Sequence, residues 1–381
     1  MLELRRIREQ TDEVQAALAR KGADVDLQEI LALDRQRRDG ITRAEEQRGE
    51  RNRASKEIGR IKKAGGDIAE QAAAVKDLGA RIGEIESELK DIETALHEAL
   101  LRIPNTPAPG VPDGADDSGN VEIRRWGKER AFDFSPRPHW ELGERLGLFD
   151  FERGAKMTGA GFPLFTGAGA RLERALIQFM LDLHVNEHGY TEIAPPFLCH
   201  TASMTGTGQL PKMTDDMYRV QGDDLWLIPT AEVPVTNIYR DEIIERDLPV
   251  YLTAYTPCFR REAGAAGRET RGLIRVHQFD KVEVGKFVEP GKSYEELESL
   301  ALNAEDVLQR LELPYRVIEL CAGDLSFAAA KCYDIELWAP AYDGWLEVSS
   351  CSNFEDFQAR RAGIRYRGED GKPATPHTLH G

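Results

Sequence analysis

The chain has 381 residues, with 50 Lys and Arg against 66 Asp and Glu, for a formal net charge of −16. Apolar residues make up 41% and charged residues 30%, which excludes collagen-like and disordered classes and allows two or three domains around a sizeable core. Taken alone, the charge argues against a nucleic-acid partner, because phosphate binding needs a positive surface. Five cysteines, at 199, 258, 321, 332 and 351, form no C-x-x-C pair. They point to a reduced, cytoplasmic protein without a disulfide framework. No run of 18 apolar residues predicts a membrane span, and Met1-Leu2-Glu3-Leu4-Arg5-Arg6 reaches charge too early for a secretory signal.

Residues 1–103 are rich in helix formers and contain no proline before Pro104. Val75, Leu78, Ile82, Ile85, Leu89, Ile92, Leu96 and Ala99 alternate steps of three and four, a coiled-coil seam of about four heptads. Ala64-Gly65-Gly66-Asp67 supplies a turn before it, with Asp67 as an N-cap. A more polar helix from about Leu27 to Lys63 offers Ala44, Ala54, Ile58 and Ile61 as its own seam. Together these predict an antiparallel hairpin over about 27–100, each arm roughly 50 Å long. Between Arg35 and Lys63, eleven basic residues stand against five acids, a local net of +6 that leaves −22 on the rest. A solvated coiled-coil face would account for this, and so would an arm that tracks a phosphate backbone. The sharp segregation of charge favours the arm. Residues 104–120 are a Pro- and Gly-rich linker, and 121–381 mix aromatic, β-branched, Gly and Pro residues as a compact α/β or α+β domain would.

P-loop, Rossmann, H-E-x-x-H and G-x-S-x-G motifs are absent. Ile274–Val284 reads as a strand with Arg275, His277, Phe279, Lys281 and Glu283 on one face. The segment before it carries Arg260, Arg261, Arg268 and Arg271 with Glu262, punctuated by Gly264, Gly267 and Gly272. Guanidinium forks hold phosphates, a carboxylate accepts amine donors, and Phe279 offers a face to a flat base. That combination points to a phosphate-rich ligand. Pro229-Thr230-Ala231-Glu232-Val233-Pro234 reads as a strand end with Thr230 and Glu232 on one side. Glu347 beside Ser349, Ser350 and Ser352 suits oxygen ligation of Mg²⁺. Local turns and caps would account for either segment taken alone.

These motifs resemble, along the whole chain, the bacterial-type seryl-tRNA synthetases of class II. Leu172-Glu173-Arg174-Ala175-Leu176 through Gly189-Tyr190 and Pro196 looks like motif 1, which builds a dimer interface. Thr207-Gly208-Gln209-Leu210-Pro211-Lys212 and the 229–234 segment are similar to family signatures. Residues 256–264 through 277–283 look like motif 2, and Glu347–Asn353 matches the next signature.

The resemblance implies an α+β chain: a long antiparallel coiled-coil hairpin that binds tRNA, then a class II antiparallel-sheet catalytic domain flanked by helices. It implies serine–tRNA ligase activity with ATP and Mg²⁺, L-serine and serine tRNA as substrates, selenocysteine tRNA as a second one, and a cytoplasmic homodimer with no membrane partner. The catalytic set would be Arg260, Arg271 and Glu347. Thr230, Ala231, Glu232, Arg260 and Glu283 would bind serine, with Glu283 reading its hydroxyl. Arg260, Arg261, Glu262, Arg271, Phe279 and Glu347-Val348-Ser349-Ser350 would bind ATP, and Glu347 and Ser350 would hold Mg²⁺. On the arm, Arg35, Arg38, Arg43, Arg48, Arg51, Arg53, Lys56 and Arg60 would meet tRNA. Two positions depart from the family: Arg261 stands where Ser is common, and His380 replaces the usual Asn. The family continues into motif 3 beyond Gly381. A catalytic domain read as C-terminally incomplete carries the expectation of a sheet lacking a central strand. It carries equally the expectation of a catalytically inactive truncated paralogue or fragment that binds tRNA through its arm.

Overall fold

In the computed structural model, residues 1–245, 247–263 and 271–381 are described. They form two compact units, one of residues 3–15 and 24–103, the other of 1–2, 16–23 and 104–381. Among the described residues no helix is long and apolar enough to cross a membrane.

The smaller unit is dominated by two long helices, α1 (Leu27–Lys63) and α2 (Ala69–Leu101). Asp26 caps α1 by accepting from the Gln28 backbone N–H at 2.8 Å, and the Asp67 carboxylate accepts from Ala69 N–H at 3.0 Å where α2 begins. All eight α2 seam residues are buried or half-buried, as are Ala44, Ala54, Ile58 and Ile61 on α1. Gly40 lets the helices close: a Cβ there would lie 2.6 Å from Leu89 Cδ2. Arg37–Glu93, Arg43–Glu88 and Arg48–Glu86 pair across the hairpin at 3.0, 3.2 and 2.6 Å. At this exposure each contributes about 0–1 kcal/mol, so the seam holds the hairpin and the pairs set its register.

The larger unit is built on an eight-stranded sheet. Its strands are β1 (Val121–Trp126), β2 (Thr191–Glu192), β3 (Val250–Phe259), β4 (Gln278–Val288), β5 (Tyr315–Glu319), β6 (Lys331–Ala339), β7 (Gly344–Asn353) and β8 (His377–His380). They lie in the order β1-β5-β6-β7-β8-β4-β3-β2, antiparallel except for β2 beside β3. Around the sheet stand α3 (Ala168–Asn186), α4 (Glu232–Asn237), α5 (Ser293–Arg310) and α6 (Phe357–Ala362). One core joins Leu297, Leu300, Ala301 and Leu308 of α5 to Val284, Val288, Val317, Ile335, Cys351 and Leu379 of the sheet. Helical spacing on α5 thus meets alternating strand positions. On the other core, Val235 of α4 and Ala359 and Ala362 of α6 pack with Val250, Leu252, Ala254 and Phe287. The functional residues share this second side.

Three expectations are corrected. Residues 274–277 are not strand; the ladder starts at Gln278, because His277 N–H is taken by Gly161 O at 2.7 Å. The 229–234 segment is no strand end either: Glu232 opens α4, with Pro234 in the first turn, where its missing N–H costs no helical bond. Finally, the sheet has a strand in its centre. Residues 377–380 pair with Gly285–Val288 on one side and with Ser352 and Asn353 on the other.

Candidate active site

A cavity of about 620 Å³ opens on the α4 and α6 side of the sheet. It is lined by Thr230, Glu232, Arg260, Glu262, Phe279, Glu283 and Glu347-Val348-Ser349-Ser350, so most of the predicted set converges from four separate segments. Strand alternation puts Phe279, Lys281 and Glu283 on this face of β4. The same rule would separate Glu347 from Ser350. A bulge between Glu347 and Ser349 restores them to one face: Glu347 opposes Glu336 while Ser350 opposes Asp334.

At one end the Arg260 guanidinium is fixed by donating from Nε to Pro229 O at 3.1 Å, and it lies over the Phe279 ring at 5.1 Å. Glu262 follows in the left-handed region at φ 50°, a conformation that costs a non-glycine residue about 1–3 kcal/mol and clusters at functional sites. Its carboxylate accepts from Arg275 Nη1 at 2.6 Å.

The other end is a buried polar cluster. Thr230 Oγ1 donates to Glu283 Oε2 at 3.4 Å, and Lys281 Nζ donates to Thr230 Oγ1 at 3.1 Å. Glu283, 3% exposed, also has His380 Nδ1 at 3.4 Å from Oε1, while His380 Nε2 meets Thr236 Oγ1 at 2.8 Å. Glu232 accepts from Gln358 Nε2, whose Oε1 accepts from Thr378 Oγ1 at 2.7 Å. Burial pushes the Glu232 carboxyl above its usual range, and the charge of Glu283 adds to the rise against the pull of His380 and Lys281. A pocket with two buried carboxylates beside a threonine hydroxyl is suited to an ammonium group carrying a hydroxyl. An arginine and a ring beside it suit a phosphate and a base.

Comparison with known proteins fits that chemistry. Residues 1–107 match the profile of the seryl-tRNA synthetase N-terminal domain, and residues 216–381 that of the tRNA synthetase class II core domain (G, H, P, S and T). The serine–tRNA ligase of Alkaliphilus oremlandii is 56% identical over 384 residues, covering 100% of this chain and 90% of the relative. The chain belongs to the seryl-tRNA synthetase family. The crystal structure of seryl-tRNA synthetase from Pyrococcus horikoshii complexed with ATP shares 38% identity at a TM-score of 0.93, covering 100% of this chain and 90% of that one. The seryl-tRNA synthetase fold also recurs at 28% identity and a TM-score of 0.84 in the cytoplasmic serine–tRNA ligase of Naegleria fowleri in complex with AMP.

Within this seryl-tRNA synthetase framework, three predicted residues stand apart. Arg271 does not line the main cavity; it lies over the Trp140 ring at 5.0 Å and borders a second cavity of about 340 Å³. Arg261 is exposed and is not among the residues lining the cavity; its backbone N–H donates to Asp216 O at 2.8 Å. Ala231 is fully buried. Arg268, Gly264 and Gly267 lie outside the described residues. Sequence reasoning gave no role to Arg275, Gln358 or Asp334. Asp334 faces Ser350 across the β6–β7 ladder. Burial, and next the charge of Glu347, push its carboxyl up to about 7. Two carboxylates that crowd each other beside a hydroxyl fit a divalent cation. Among the described residues no group of three or more His, Cys, Asp or Glu forms a metal cage.

On the arm, half of the predicted contacts are engaged within the protein. Arg38 pairs with Asp34, Arg43 with Glu88, Arg48 with Glu86 and Arg60 with Glu57. Arg35, Arg51, Arg53 and Lys56 have no carboxylate partner among the described residues.

Proposed function

We propose that the chain activates L-serine with ATP and passes the seryl group to the terminal ribose of serine tRNA, with selenocysteine tRNA as a second acceptor. The observation that carries this reading is the single cavity in which Arg260 and Phe279 stand next to the Thr230–Glu232–Glu283 cluster. The substrate ammonium would be taken by Thr230 and Glu232, and the hydroxyl by Glu283. Arg260 would hold the serine carboxylate against the α-phosphate, with the adenine on Phe279 and its amine donating to Glu262. A carboxylate oxygen then attacks the α-phosphorus as the bond to pyrophosphate breaks. Such a displacement is accelerated by positioning and charge neutralisation, with no covalent enzyme intermediate required. When bound with ATP, Mg²⁺ supplies further neutralisation, and Glu347, Ser350 and Asp334 would hold it. Exposed Leu172, Phe197 and Leu198 in and beside the motif 1 segment support a homodimer.

Incubation with labelled serine, ATP, Mg²⁺ and serine tRNA yields charged tRNA under this reading. Binding of tRNA without charging would instead favour the alternative, a tRNA-binding chain without catalysis, for which the basic stretch of α1 speaks.

Two outcomes follow directly. Cation binding needs Asp334 ionised, so the Mg²⁺ concentration for half-maximal pyrophosphate exchange rises by roughly tenfold per pH unit below about 7; Mg²⁺ titrations at pH 6, 7 and 8 check this. Replacing Arg51, Arg53 and Lys56 together by Ala lowers tRNA affinity and reduces the slope of log affinity against log salt by about 2–3. The Arg43→Ala, Arg48→Ala double variant has a smaller effect, since those guanidinium groups already serve α2. Filter binding across a salt series measures both.

A further inference from the structure

Lys281 is a cavity residue to which the proposed function gives no task. It lies on β4 between Phe279 and Glu283 on the same face, with its side chain 33% exposed to the cavity. Its Nζ donates to Thr230 Oγ1 at 3.1 Å and stands 3.8 Å from Glu283 Oε2. Thr230 Oγ1 is itself 3.4 Å from that carboxylate oxygen. The other titratable or charged side chains lining the cavity are Glu232, Arg260, Glu262, Arg275, Glu347 and His380. The lysine ammonium therefore occupies Thr230 Oγ1, one of the two acceptors assigned to the substrate ammonium. Two ammonium groups cannot share it at hydrogen-bond distance in a partly desolvated pocket without strong repulsion.

We infer that Lys281 is a positioning residue that stands in for the substrate ammonium in the empty pocket and gives up Thr230 when serine enters. Recognition of the amine is then an exchange of one cation for another, which keeps Glu283 neutralised while the pocket is empty. The four-carbon stem carries the released charge toward the serine carboxylate and α-phosphate, where negative charge develops during adenylation. This rests on the serine pocket proposed above.

Calorimetric titration of wild type and Lys281→Met with L-serine, and with 3-hydroxypropionate, which lacks the amine, tests the exchange. Removing the resident cation tightens L-serine severalfold and leaves 3-hydroxypropionate no tighter. In pyrophosphate exchange the variant shows a lower serine KM, a kcat reduced by about tenfold or more, and an ATP KM within about twofold, the pattern of a ground-state competitor that helps the transition state. A merely structural lysine would raise both KM values together, and that result overturns the inference. Lys281→Gln, uncharged yet able to bond Thr230, serves where the Met variant fails to fold. A structure of the wild type with serine supplies an independent check. Nζ displaced from Thr230 supports the exchange, and Nζ still bonded to Thr230 refutes it. If the wild type binds no L-serine, the serine reading and this inference both fall; if it binds serine and the variants behave alike, only this inference does.

Discussion

Replacing Glu283 by Gln lowers kcat/KM for serine by about 10²–10³-fold while leaving the KM for ATP nearly unchanged. The carboxylate is 3% exposed and held by Thr230 at 3.4 Å, with His380 as close on its other oxygen. It is thus a fixed acceptor, and the proposed function assigns it the substrate hydroxyl. A site built around such a bond rejects an analogue that lacks the hydroxyl, because its buried acceptor is left unpaired. The amide keeps the shape but offers donors where only an acceptor fits. Discrimination between serine and alanine therefore narrows in the same variant. Exchange rates with both amino acids measure it, and an unchanged ratio would remove Glu283 from hydroxyl recognition.

Replacing Arg260 by Ala lowers kcat by about 10²–10³-fold, the usual loss on deleting a preorganised group that meets charge developing in the transition state. The Pro229 carbonyl and the Phe279 ring hold this guanidinium in place before any ligand arrives. Lysine does not restore it, because an ammonium has neither the fork nor the flat face for the ring. Single-turnover adenylate formation separates the effect from product release; a lysine variant with wild-type rates would show that a point charge suffices.

The hairpin was legible because its seam is local and periodic: Val75 to Ala99 keep one spacing throughout, and burial follows that spacing. The cavity residues were legible as a set through the family resemblance, yet their settings were not. Thr230 and Glu232 alternate as strand residues do, but two prolines made the segment a turn into α4. The facing of Glu347 with Ser350 depends on a bulge that periodicity does not announce. Gln358 reaches Glu232 across 126 residues of sequence and His380 reaches Glu283 across a strand pairing, so neither left a local signal. Arg271 was placed by its motif among the phosphates, whereas the indole of Trp140 supplies a competing stacking partner. Arm charge was overcounted for a similar reason. Counting α1 alone omits the glutamates of α2 that cross the hairpin to Arg37, Arg43 and Arg48. The net charge of −16 nonetheless conceals a basic surface centred on Arg51, Arg53 and Lys56.

Serine-dependent exchange of labelled pyrophosphate into ATP tests the central claim most directly, because it needs the whole cavity and no tRNA. The proposed function predicts exchange with L-serine, far less with alanine, whose missing hydroxyl would leave Glu283 unpaired, and far less with threonine, whose extra methyl the serine pocket would exclude. Exchange that ignores which amino acid is supplied, or none with any of them, would contradict the assignment of this cavity to serine activation.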